Sequence, residues 1–500
     1  MSIGTLFPPC VESAEWQPTL SIGTSATLSD NALLRPHGQE EADLIISASP
    51  TIAVNKNGAR LKVKGSYTPW FYTYLAGTGE TTVRNTMDGV ASLEAVENLV
   101  YVDGRANIYQ SFISPFGGQP NDPGTVSSNR TEVATLGLSP YIRGELAGGS
   151  RYELRDDINY TTFRTGERPD LLSNAVIGRW SGKGGTVIVP GIEYNYTSTQ
   201  FGSQPAFVTQ LVRARAGLNL STDFQVFATG GYESNDFVFS KQQGTIYGGG
   251  FDWKPSPRTS VRASVERRFF GNSYDFDALY RTRLTAWKLR GGRSVQTSQQ
   301  QFQQAGSGST GIRDALDSLL STSIPDPVAR AQFINQLLIQ SGLGSFLNGP
   351  TPVYSPRVLL VENIEPSLAI QGTRTTLTFS VFWRKTKPLS DAVATNAVDA
   401  LAGLNDITQR GGSISLIHKL NSKQSADASI YRIGTKGANG AVAGAAPFES
   451  TQSMFRVGLS QQISTQTSAS VGLRWQTFNS NSVTNFQERA VLVTLTHSFF

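Results

Sequence analysis

"VLVTLTHSFF", Val491–Phe500, ends the chain on a run that alternates apolar and polar side chains. Val491, Val493 and Leu495 fall on one face of a strand; Leu492, Thr494, Thr496 and Ser498 fall on the other, because successive strand side chains point to opposite sides. A strand this regular at a sheet edge invites unwanted pairing. A strand that closes a barrel has no edge to expose. The fold is therefore decided by whether the rest of the chain reads as a barrel wall.

It does. "QLVRARAGLNLS" sets Val212, Ala214, Ala216, Leu218 and Leu220 against Arg213, Arg215 and Asn219. Val261, Ala263 and Val265 oppose Arg262, Ser264 and Glu266; Leu377, Phe379, Val381 and Trp383 oppose Thr378, Ser380 and Arg384; Ala469, Val471, Leu473 and Trp475 oppose Ser470, Gly472, Arg474 and Gln476. Such runs extend over roughly 10–14 residues, longer than the usual five or six of globular sheets and long enough to cross hydrocarbon. Short polar turns (Asn55–Gly58, Ala147–Ser150, Gly182–Gly185, Ser221–Asp223, Gly372–Arg374, Asn421–Gln424) alternate with longer stretches such as Ser29–Glu41, Ala76–Asp88, Pro115–Arg130, Arg164–Leu172, Pro388–Gly411 and Gly434–Glu449. Short turns at one end and long loops at the other form the barrel pattern, with the long loops outside the cell. If the segment around Arg281–Arg283 turns back, the count is 22 strands, both termini lie on the periplasmic side, and strand one (about Thr19–Leu28) pairs with the last (about Ala490–Phe499). The expected fold is all-β: one large antiparallel up-and-down transmembrane β-barrel of about 22 strands.

Composition agrees. Only 39% of the 500 residues are apolar, and the mean hydropathy is −0.21, as expected when every second strand residue meets lipid. No run of about 20 apolar residues could form a transmembrane helix. One cysteine, Cys10, excludes an intrachain disulfide and any multi-cysteine metal centre, and three histidines far apart (His37, His418, His497) argue against zinc. A net charge of +5 without long basic blocks gives no nucleic-acid footprint. Residues 1–15 read as an N-terminal segment, a candidate remnant of a signal peptide, although they lack a basic start and a long apolar core.

The wall is read as two parts, 16–296 and 357–500, separated by an insert at 297–356. The insert is polar and Gly/Ser-rich at first and then carries two helix-like runs, Ile312–Ser321 and Pro327–Ser341. It is either a small helical unit on the rim or in the lumen, or a mobile loop. A wall of this size is plugged in known examples, and this is the loop with helical patterning and enough residues to enter.

The polar strand faces carry Lys62, Lys64, Arg143, Arg213, Arg215, Arg262, Lys288, Arg290, Arg456 and Arg474, the candidate pore-lining residues. Charged rings set pore selectivity, and an excess of bases suits an anionic polymer; alternatively they are paired with acids such as Glu145, Asp157, Glu266 and Glu488. Trp70, Tyr72, Tyr74, Trp253, Trp287, Trp383 and Trp475 are expected in interfacial girdles, with stacking on sugar rings as the alternative for those that phase inward. "GGGFDW" (Gly248–Trp253) is flanked by strands, so it reads as small residues at a crowded wall position rather than a phosphate loop. No catalytic constellation and no cofactor motif is visible.

Several stretches together, "WQPTLSIGTSATLSDNALL", "DLIISASPTIAVNKNGARLKVKGSYTP", "ISPFG", "RRFFGNSYDFDALYRTRLTAWKL" and "IQGTRTTLTFSVFWRK", resemble the PEP-CTERM-system-associated outer-membrane β-barrel proteins, found with exosortase and exopolysaccharide genes in Gram-negative bacteria. The resemblance runs from Trp16 over most of the chain. It implies a place in the outer membrane, contact with outer-membrane lipid, recognition of the final strand by barrel assembly machinery with Phe499 as the key ring, and a role as a pore or export component for polysaccharide. A closed anchoring barrel and a rim enzyme acting on lipid or polymer are the alternatives.

Overall fold

The computed structural model describes residues 16–120, 122, 124–164, 168–238, 240–306, 311–321, 323–325, 330, 334, 349–391, 399–439 and 447–499. The first strands are β1 (Gln17–Ser29), β2 (Asp43–Asn57), β3 (Leu61–Tyr74), β4 (Thr82–Val96), β5 (Val100–Phe112), β6 (Arg130–Glu145), β7 (Arg151–Phe163) and β8 (Leu171–Ser181). The wall continues through β9 (Ile188–Phe201), β10 (Phe207–Asn219), β11 (Phe224–Asp236), β12 (Lys241–Ser256), β13 (Thr259–Arg268), β14 (Gly271–Arg281) and β15 (Thr285–Gln296). Two helices follow, α1 (Ser298–Gly306) and α2 (Gly311–Leu320). The wall resumes with β16 (Leu359–Gln371), β17 (Thr375–Pro388), β18 (Leu404–Lys419), β19 (Gln424–Asn439), β20 (Phe448–Gln462), β21 (Thr467–Ser480) and β22 (Phe486–Ser498).

Each strand pairs antiparallel with the next, and β1 pairs with β22 from Ser21 opposite Ser498 to Ser29 opposite Ala490. The 22-stranded sheet is thus closed, leaving no ladder edge to satisfy. The turn expected near Arg281–Arg283 occurs at residues 282–284, where Thr282 N–H donates to the Thr285 carbonyl at 2.7 Å. One end of the barrel carries only connections of two to six residues; the other carries all the long ones.

The apolar residues of the alternating runs quoted above face outward. Val212 is 50% and Val265 57% exposed, and Leu473, Val471, Val491, Val493 and Leu495 are exposed with them. Their alternate neighbours turn inward: Arg474 is only 4% exposed and Gln476 is fully buried. The faces read from sequence are therefore the observed ones. At "GGGFDW" a Cβ built on Gly248 or Gly250 falls on the carbonyl oxygen of Val265 or Ala263, and one on Gly249 comes within 2.8 Å of the Phe227 carbonyl oxygen. These glycines let β11, β12 and β13 approach one another where any side chain would collide.

Candidate functional site

The lumen is crossed by the chain itself. The long connection between β15 and β16 sends α1 toward the long-loop end of β5–β9. Gln299 donates to Thr161 Oγ1 at 3.0 Å, and Tyr109 OH donates to the Phe302 carbonyl at 2.8 Å. Phe302 and Tyr354 pack edge-on against Phe163 (5.1 and 5.5 Å), and Tyr354 also meets Phe201 at 6.3 Å. The two strands of the opposing walls, β5 and β15, contribute Arg105 and Ser294 to one cavity of about 380 Å³ beneath α1. They stand ten strands apart around the ring, so the insert bridges nearly opposite walls.

From there the chain descends. α2 buries Ile312, Ala315, Leu316, Leu319 and Leu320 against inward-facing Ala286, Ala369, Phe382, Ile417, Tyr431, Ile433 and Met454. Ala286, Ala369 and Ile417 lie close to the short-turn end of their strands, so α2 sits deep in the barrel. Two polar pins hold it, and a third charge stands near. Arg290 pairs with Asp314, Arg281 donates to the Ser318 carbonyl at 2.8 Å, and Arg313 lies within electrostatic reach of Asp88 on β4. Burial pushes the Arg313 guanidinium down from its usual range, opposed by Asp88 and Asp314. The expected helix Ile312–Ser321 is thus α2, inside the lumen; of the second run, Pro327–Ser341, only Arg330 and Ile334 are described, and its helical character lies outside the described residues. α1 arises in the part read as polar and Gly/Ser-rich, where glutamines supply helix-forming side chains without an apolar stripe to announce them.

A second loop also turns inward. The described residues of the stretch Pro115–Arg130, expected outside, fold beneath the rim: Gln119 N–H donates to Gln452 Oε1 at 2.7 Å, and Gln452 returns a bond to the Gln119 carbonyl at 2.6 Å. Thr351 donates to Gln119 Oε1 at 3.0 Å and Gln409 to the Thr351 carbonyl at 3.0 Å, joining loop, insert and wall. Asp122 in this loop is ion-paired with Arg474 at 3.0 Å. Burial pushes the Asp122 carboxyl up, but Arg474, the Gly124 N–H and Arg130 outweigh it and leave its pKa below the ordinary aspartate value. Tyr72 and Tyr74, expected in a girdle, are buried under this loop, Tyr74 donating to the Gly124 carbonyl at 2.6 Å; Trp70 stacks on Tyr72 at 6.2 Å on the same inner face. Even-numbered phase, not nearness to a strand end, decides their side. Trp253, Trp287 and Trp475 do face outward.

Below α1 and on the wall away from α2, the lumen keeps a vestibule of about 720 Å³ toward the short-turn end of β5–β13. Its wall alternates cations and carboxylates. Arg213 lies between Glu193 (3.2 Å) and Glu266 (2.8 Å); Arg215 and Arg262 share Asp252 (2.8 and 2.5 Å). Arg143 stacks over the Tyr101 ring at 4.3 Å, Arg155 over Tyr141 at 3.8 Å and Arg215 over Phe227 at 3.6 Å.

The wall is closed, apolar outside and charged inside, and no other arrangement of strands spans hydrocarbon without exposing backbone. The chain is an outer-membrane β-barrel. Solved structures similar to it are the siderophore receptor PirA from Pseudomonas aeruginosa (12% identity, TM-score 0.38, covering 96% of this chain and 80% of that one), PirA from Acinetobacter baumannii (10%, 0.46, 97% and 80%) and OprD from Pseudomonas aeruginosa (9%, 0.36, 98% and 98%). No protein-family model matches the barrel's sequence, and no curated protein matches it.

All ten sequence-selected bases lie on the inner face of the barrel. Arg143, Arg213, Arg215 and Arg262 meet in the vestibule; Lys288 and Arg290 share Asp277 near α2 (2.6 and 3.7 Å); Arg474 pairs with Glu488 and Asp122. Arg456 lies near Asp427, and Lys64 near Asp88; Lys62 stands apart from these groups, opposite Ser92. Most of these bases are compensated by acids, which reduces the expected basic excess, although six arginines still face four glutamates in the vestibule lining. Asp122, Gln119, Thr351 and Tyr354 were missed because they sit in aperiodic loops, where no alternation assigns a face. The three histidines lie far from one another: His37 pairs with exposed Glu40, His418 with Thr375 and His497 with Thr467.

Proposed function

We propose that the barrel is a plugged passage of the outer membrane, acting in the export of an exopolysaccharide strand. The observation that carries this reading is the vestibule beneath a lumen-crossing insert. A polyhydroxylated chain needs many alternating donors and acceptors and flat faces to slide along, and Arg143, Glu153, Arg179, Glu193, Arg213 and Glu266 with Tyr101 and Phe227 supply both. The family resemblance of the sequence supports the polysaccharide. The insert is the gate: its hold on the wall combines one modest apolar face with a few polar pins, a contact that reverses more readily than a fused core.

The test is conductance in planar bilayers. The intact barrel is expected to pass little current, and deletion of 305–347 to leave a folded barrel of markedly larger conductance, blocked by an acidic oligosaccharide added from the short-turn side. A folded deletion variant that conducts nothing would favour a closed anchoring barrel, a second reading that the Gln119–Gln452 and Arg474–Asp122 ties across the mouth support.

A further inference from the structure

The outer face of the barrel carries a basic cluster at the border of its apolar belt. On β17, β18 and β19 the belt is formed by Phe379, Ile414 and Ile430, cross-strand neighbours and all exposed. Two residues further toward the long loops, Arg432 stands opposite Gly412; two further again, Arg410 stands opposite Gly434 and Trp383. Arg410 and Arg432 are therefore diagonal neighbours on one face, roughly 7–8 Å apart between Cα atoms, with glycine beside each. Above them lie Lys385, Lys387 and Lys436. Lys385 is paired with Asp406 at 3.1 Å and Lys436 with Glu449 at 2.7 Å. Arg410, Arg432 and Lys387 are exposed and have no partner among the described residues. The patch thus holds five bases against three acids, the third being Glu362 on β16, opposite Lys385.

Guanidinium groups at the edge of hydrocarbon are costly unless an anion meets them. The lumen already shows how this chain treats buried bases: it supplies carboxylates. For Arg410 and Arg432 it supplies none among the described residues. The long-loop end faces the outer leaflet, and the anion available at that depth is the phosphate of a lipid head group. The two flanking glycines leave room for acyl chains and head group against the wall, and Trp383 offers the amphipathic ring that sits at such a boundary.

We propose that Arg410 and Arg432, with Lys387 above them, form a binding site for the phosphate groups of an outer-leaflet glycolipid. A phosphate accepts paired bonds from planar guanidinium groups, and two of them on adjacent strands fix one lipid at this position on the rim.

The experiment is native mass spectrometry of the full-length barrel in detergent with a bisphosphorylated glycolipid of the lipid A type, its dephosphorylated form, or inorganic phosphate. The wild type should retain the phosphorylated glycolipid, and Arg410→Gln/Arg432→Gln should retain it at least tenfold less, with unchanged heat-modifiable migration showing that the barrel is folded. Arg60→Gln, in the β2–β3 turn at the other end of the barrel, should bind as wild type. Equal retention by the double variant, or equal retention of the dephosphorylated lipid, would overturn the proposal. Binding of inorganic phosphate without retention of the glycolipid would replace the lipid by a free anion and overturn it as well. Should the double variant fail to fold, Arg410→Lys/Arg432→Lys is the substitute: keeping the charge but losing the planar fork, it should bind measurably more weakly, and unaltered retention would count against the site.

Discussion

Arg474 on β21 and Asp122 in the β5–β6 loop, 352 positions apart in the chain, are ion-paired at 3.0 Å, and the same guanidinium pairs with Glu488 on β22 at 2.7 Å. One buried base thus fastens an inward-folded loop to the strand next to the barrel seam.

Replacing Arg474 by Ala leaves two carboxylates buried without their cation. The expected cost is about 3–5 kcal/mol, read as a lower urea midpoint of the folded barrel. Arg474→Met with Asp122→Asn and Glu488→Gln should recover part of it, since the uncompensated charges are gone.

The same pair makes the loop acid-sensitive. Asp122 has a lowered folded-state pKa, so its contribution is fully present above the unfolded aspartate value of about 3.9 and is lost as pH falls through the lower, folded value. Protection of residues 113–120 against hydrogen exchange, relative to the intrinsic rate at each pH, is expected to hold from pH 8 to pH 5 and to fall only below about pH 4. Release near pH 6 would point to a different group.

The face assignment invites a paired test. Val265→Arg places a charge in the lipid belt and should cost roughly 2–4 kcal/mol near mid-wall. Ser264→Arg, one residue away and facing the lumen, should be nearly neutral. The reverse order in a folding titration into vesicles would mean an inverted register.

Strand crowding predicts a further contrast. Gly250→Val drives its side chain into the Ala263 carbonyl and the Phe227 ring, and overpacking of this kind costs about 1–3 kcal/mol. Gly230→Ala meets nothing within 4 Å and should change the urea midpoint little.

On α2, Leu316 is fully buried in the contact with the inner wall. Leu316→Asp should free the helix and raise single-barrel conductance, whereas Leu316→Met should behave as wild type. If Leu316→Asp leaves conductance unchanged in folded barrels, α2 does not limit flow.

How much of this was legible in the sequence follows from periodicity. Val212, Val265 and Leu473 announce their side because lipid selects every second residue, and one consistent phase over a strand fixes all its members at once. That logic yields the strand count, the β1–β22 closure and the inner position of all ten bases. It is silent about pairing, because Arg213 meets Glu266 across two intervening strands, and spacing along one strand carries no such information. It also misplaced Tyr72 and Tyr74, since aromatic rings near a strand end serve lipid or lumen alike and only their parity distinguishes the two. Asp122 and Gln119 sit in a Gly/Pro-rich loop with no period. α2 was visible through its apolar stripe, and α1, made largely of glutamine, had none.

The seam between β1 and β22 has a consequence for how the molecule comes into being. Ser29 and Ala490 meet across it, among the most distant contacts the chain can make, and ring closure of such length is slow. Until it forms, the wall is an open sheet through whose gap the segment after β15 has lateral access to the interior; afterwards the only ways in are the two mouths. The order of events therefore matters. A chain whose insert docks α2 against β14–β17, all neighbours in sequence, before the seam zips arrives already stoppered, and no interval exists in which a wide, unguarded hole stands in the membrane.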